Sequence, residues 1–137
     1  MLLTESEYKE VVRNAVFKPE GHIEEPSADY PEMARLYVIT TIASLPMYGG
    51  ERTPGICLSF QRAREIVENN EGDIYECSYA LVVVESVLAD CVYGSGFIKE
   101  RYWWVWHDVT DHQGDDGCYR AIEEPARFNN TIGFGVG

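Results

Sequence analysis

Basic side chains are scarce. Eleven Lys and Arg stand against 23 Asp and Glu, so the formal net charge is −12 at pH 7. Phosphate backbones repel such a chain, which argues against direct nucleic-acid binding; the same field draws in basic partners. The four cysteines, Cys57, Cys77, Cys91 and Cys118, contain no CxxC pair, which removes zinc-ribbon and thioredoxin-like readings. The longest apolar run, 79–84, is far short of the roughly 20 residues that span a membrane. The N-terminus lacks the basic segment and apolar stretch of a secretory signal. No GxSxG, HExxH or kinase signature occurs. The glycines of 133–137 end the chain, with no following helix to hold a phosphate. These absences predict a soluble intracellular protein with four free thiols, no cofactor, no bound metal and no membrane contact.

What is present is the composition of a globular domain. The 137 residues are 45% hydrophobic and 12% aromatic. A chain of this size buries roughly two-thirds of its unfolded surface, enough for a core without metals or disulfides. Thr4-Glu5-Ser6-Glu7 is a capping-box pattern, and Tyr8, Val11, Val12, Ala15 and Val16 follow at helical spacing, predicting an amphipathic helix over 5–16. The prolines, Gly21 and charges of 18–31 read as an excursion. A β-branched strand is predicted over 36–43, a Gly/Pro loop over 46–55 and a short strand over 56–58. Ser59 then caps a helix whose Phe60, Ala63, Ile66 and Val67 share a face; Asn69, Asn70 and Gly72 suit its end.

The longest strand signal runs over 74–87, where 81–84 is continuously apolar, as in a strand covered on both faces. After a turn over 90–96, a strand follows over 101–109, then a polar turn over 111–117 and a returning strand over 118–122. A helical turn over 125–130 and a glycine-interrupted strand over 131–136 close the pattern. The sum is α+β: a largely antiparallel sheet with a helix inserted after its second strand and an N-terminal amphipathic helix. Residues 1–34 form the helix and proline-containing excursion, and 35–137 the α+β core, within a single domain.

The candidate binding residues cluster in one stretch. In Arg101-Tyr102-Trp103-Trp104-Val105-Trp106-His107, strand alternation sends Tyr102, Trp104 and Trp106 one way and Trp103, Val105 and His107 the other. A solvated face does not accommodate three large aromatics, so both faces are at least partly covered. Trp103, beside the acidic turn, is the expected rim anchor, while the Trp104 row is expected to be structural. His107, Asp108, Asp111, His112, Asp115 and Asp116 have the residue types of a metal site. However, the two histidines are five apart, off both strand and helix spacing, and the run does not match an EF-hand; a solvated hairpin turn is the expected reading. Arg52, Arg62, Arg64, Arg101 and Arg120 are alternative anchors for a small anion. A Cys57–His107 nucleophile pair is the weakest option, because Cys57 sits in an apolar segment.

The arrangement over 36–87 resembles small uncharacterised α+β proteins common in bacteriophage and prophage genomes. The resemblance rests on Tyr37-Val38-Ile39, on the run from Ile66 to Cys77, on the tryptophan strand, and on Glu124-Pro125 with the 130–135 tail. It covers about the C-terminal three-quarters and implies a viral origin more than an activity. With the acidity, it leads us to expect a non-enzymatic protein of the host cytoplasm. Such a protein would bind and inhibit a basic host defence component, such as a nuclease effector, in the manner of an anti-CRISPR or other anti-defence protein. A sponge sequestering a nucleotide signal between Trp and Arg side chains is the alternative. A homo-oligomer is compatible with either.

Overall fold

The structure is a computed structural model that describes residues 4–19, 35–42, 51–72, 81–89, 98–107 and 118–125. Its elements are α1 (Glu5–Asn14), β1 (Arg35–Ile42), β2 (Glu51–Cys57), α2 (Phe60–Glu68), β3 (Leu81–Leu88), β4 (Ile98–His107) and β5 (Cys118–Ile122). The strands form one sheet in the order β2-β1-β3-β4-β5, and every neighbouring pair is antiparallel. Because β2 and β3 both run against β1, they are parallel to each other, and a connection between such strands has to cross a sheet face. The helix α2 lies on that crossing, which fixes its place against one face.

Both helices start where their caps dictate. Thr4 Oγ1 accepts from Glu7 N and the Glu7 carboxylate accepts from Thr4 N, each at 3.1 Å, a complete capping box. Ser59 Oγ accepts from Arg62 N at 3.2 Å. Past the end of α2 the chain takes left-handed φ at Asn70 (53°) and Gly72 (58°), the residue types that tolerate it.

Strand alternation sorts the core into two layers. On one face Tyr37, Ile39, Val82, Val84, Tyr102, Trp104 and Tyr119 pack against Phe60, Ala63 and Val67 of α2. On the other, Ile42, Leu81, Val83, Trp103, Val105 and Ile122 pack against Val11, with Tyr8, Val12 and Ala15 of the α1 segment alongside. The result is helix, sheet, helix, and all eight residues of β3 are buried. Residues 4–19 thus supply one layer of the core. The chain after α1 also joins the sheet: Phe17 bridges Ile122, Lys18 N donates to Ala121 O and Glu123 N to Val16 O, both at 3.0 Å. This segment covers the C-terminal end of the outer edge of β5, where unpaired amides would otherwise invite another strand. The Arg120 guanidinium lies 4.6 Å above the Phe17 ring.

Several boundaries differ from the sequence pattern. The strand β2 begins at Glu51, inside the expected 46–55 loop, because pairing with β1 overrides the turn preference of Thr53-Pro54-Gly55; the ladder shifts register between Ile39 and Thr41. An edge strand tolerates Pro54, which has no amide to donate. The helix α1 stops at Asn14 and Ala15 is already extended, so Val16 leaves the helical face and stands 55% exposed. The strand β4 starts at Ile98, three residues before the expected start. The expected strand over 74–80, helical turn over 125–130 and strand over 131–136 fall wholly or mainly outside the described residues.

Val83, fully buried between Thr40 of β1 and Trp103 of β4, tests the central strand. Val83→Asp places an unpaired carboxylate in the core and costs on the order of several kcal/mol. Denaturant unfolding of the variant is expected to show loss of cooperative folding or a greatly lowered midpoint; a wild-type midpoint contradicts the two-sided burial.

Candidate functional site

The strand β4 carries most of the sequence-derived candidates, and the structure shows what each touches. Trp103 and Trp104 are 1% and 0% exposed, on opposite faces, the first within the layer that includes Val11 of α1 and the second within the layer of α2. The expectation of Trp103 as a rim anchor is therefore not met: α1 packs over the face to which strand alternation sends it. Tyr102 is buried, its ring 4.4 Å from that of Phe60. Trp106, only partly buried, meets Tyr119 edge-on at 5.0 Å, and its carbonyl accepts from Tyr8 Oη at 3.0 Å. The buried Trp104 indole N–H meets no acceptor among the described residues.

Charged residues flank the aromatics in two networks. Glu85, fully buried, accepts from Arg101 Nε at 3.1 Å, and Arg101 Nη1 reaches Glu124 at 3.4 Å. These two strand residues are direct register partners, which places the ions side by side. On the other face Arg35 Nη1 pairs with Glu100 at 3.0 Å, while Tyr102 Oη donates to the second Glu100 oxygen at 2.9 Å. Burial, followed by this bond to a carboxylate, pushes the Tyr102 phenol well above its ordinary range, so it stays a donor.

The other arginine anchors do not converge. Arg62 grips Glu71 through both terminal nitrogens at 3.0 and 2.9 Å, and Arg64 pairs with Glu68 at 2.8 Å. Together with Arg101 on Glu85 and Arg120 over Phe17, this leaves no shared anion site among the described residues. The side chains of Arg52 and His107, and all of Asp108, Asp111, His112, Asp115 and Asp116, lie outside the described residues. Among the described residues no group of three His, Cys, Asp or Glu is placed to hold a metal ion.

The Cys57–His107 pair fails on topology. Two strands separate β2 from β4, which puts these backbones at least three strand spacings apart, roughly 14 Å. Burial also raises the Cys57 thiol, against a smaller opposing pull from Arg62, so it is a poor nucleophile. Cys57 and the exposed Cys118 are both free thiols; Cys77 and Cys91 lie outside the described residues. Among the described residues no helix is long and apolar enough to cross a membrane.

Sequence reasoning missed a cleft of about 410 Å³ between α1 and 123–125. Its apolar lining comes from Val11, Ala15, Val16 and Pro125, and its rim from Glu7, Glu10, Glu123 and Glu124. Glu7 is occupied by the capping box and Glu124 by Arg101, while Glu10 and Glu123 are exposed with no side-chain partner among the described residues. The one local signal was the acidic doublet and proline directly after β5. A second cleft, of about 240 Å³, lies beside Ile39, Pro54 and Ile66 and is bordered by the closed Arg62–Glu71 pair. Comparison with protein-family models, with curated proteins and with solved structures finds no match.

Two sets of variants test this description of β4. Trp103→Ala and Trp104→Ala each remove a fully buried ring and are expected to cost about 3–5 kcal/mol of stability, with similar losses in thermal melts. A mild effect from either one shows that its face is open. Arg101→Met takes the guanidinium away from the buried Glu85 carboxylate and is expected to cost about 3–5 kcal/mol in denaturant unfolding. Adding Glu85→Leu to that variant recovers part of the loss; no recovery would mean that the ion pair is not the determinant.

Proposed function

We propose that this chain is a non-enzymatic, phage-type interaction protein that binds a basic host defence component, such as a nuclease effector, in the host cytoplasm and inhibits it. The observation that carries the reading is the net charge of −12 combined with a cleft whose free carboxylates, Glu10 and Glu123, border an apolar floor. A basic protein surface complements that arrangement, and the long-range field speeds its approach. Trp103 and Trp104 are used in packing and offer no contact surface. The nucleotide-sponge alternative draws no support from Arg62, Arg64, Arg101 and Arg120, each of which is engaged with a neighbouring side chain.

The test is capture of host proteins on the immobilised chain at low and high salt, with mass-spectrometric identification of retained proteins and small molecules. Any captured nuclease is then assayed with and without the chain. The reading expects a basic protein that is released by salt and loses activity when the chain is added. Retention of a nucleotide instead of a protein, or turnover of a substrate by the chain itself, would overturn it.

A further inference from the structure

We infer that the cleft between α1 and 123–125 is the docking site for a short segment of a basic partner protein, one that presents a Lys or Arg beside an apolar side chain. The inference rests on the binding reading above and assigns it a place. Three observations combine. The floor is apolar, formed by Val11, Ala15 and Pro125, and Val16 at its margin is 55% exposed where the helix has already ended. The rim holds two exposed carboxylates without side-chain partners among the described residues, Glu10 from α1 and Glu123 from the segment after β5. The two walls are tied together: Glu123 N donates to Val16 O at 3.0 Å, so the cleft is preformed and no wall has to be ordered on binding.

This chemistry selects the occupant. A purely apolar segment leaves two carboxylates to be desolvated without a partner, and an acidic one is repelled. A purely cationic segment leaves Val16 and the floor in water. A cation next to an apolar side chain satisfies both, with its charged head at the rim and its aliphatic stem along the floor. The volume of about 410 Å³ admits a few side chains, which fits a short segment better than a folded face.

The experiment is a fluorescence-polarisation titration of the full chain with a labelled peptide of alternating arginine and leucine, with oligoarginine and arginine amide as competitors. Saturable binding is expected, weakened roughly tenfold by Glu10→Lys/Glu123→Lys and several-fold by Val16→Ser. Glu65→Lys on α2, which changes the net charge on another surface, is expected to leave binding within about twofold. If the double charge reversal does not melt like the wild type, Glu10→Gln/Glu123→Gln replaces it, with a smaller loss in the same direction. The assignment is overturned if Glu65→Lys weakens binding as much as the rim variants, if Val16→Ser has no effect, or if oligoarginine competes equally well; each of these means a diffuse field and no site. Equal competition by arginine amide overturns it in favour of a small organic cation. The two readings fail separately. If the wild-type chain inhibits a host protein and the rim variants inhibit equally well, only the docking site falls. If the peptide docks as described and no host protein is inhibited, only the proposed inhibition falls.

Discussion

The central strand β3 has no side that can face water. Its run of Leu81, Val82, Val83 and Val84 is apolar on both faces, and the burial continues through Glu85 and Ser86 to Leu88. Each buried aliphatic side chain contributes about 1.5–3 kcal/mol only if something covers it. The layered architecture answers that demand. The helix α2 packs on the face of Val82 and Val84 as it carries the chain from β2 to β3, and α1 packs on the face of Leu81 and Val83. Removing either helix would expose the strand that holds the sheet together.

The same constraint explains the polar interior. The strand β3 continues past its apolar run into Glu85 and Ser86, so the sheet buries a carboxylate that has to be met by charge. Arg101, its register partner on β4, meets it and extends to Glu124; on the opposite face Arg35, Glu100 and Tyr102 form a parallel arrangement at the same end of the sheet. Ion pairs of this kind bring little net stability, but losing one partner is costly. Their effect here is to tie one end of β4 to β1, β3 and the chain after β5.

The aromatic wealth of β4 serves the core. Trp103 and Trp104 fill the two layers back to back, and Tyr102 and Trp106 close on Phe60 and Tyr119. The proposed docking cleft lies where α1, extended chain and the end of β5 meet, with Glu10 and Glu123, unpaired among the described residues, beside apolar side chains. Arg35, Arg62, Arg64 and Arg101, by contrast, are each paired with a carboxylate of the chain itself.

The local elements were legible in the sequence because they depend on near neighbours. The Thr4–Glu7 box and the Ser59 cap set helix starts through bonds three residues long, the apolar run of β3 announced burial on both sides, and the alternation along 101–107 assigned Trp103 and Trp104 to opposite faces. Even so, pairing with β1 drew Glu51 to Gly55 out of an apparent loop, since a ladder of backbone bonds outweighs the turn preference of a few residues. Which helix covers which face, the burial of Trp103, and the pairing of Glu85 with Arg101 were decided by the sheet order. The cleft was beyond local reading altogether. Its walls lie more than 100 positions apart, and they meet only because the chain after α1 hydrogen-bonds along β5, a contact that exists once the whole sheet has formed.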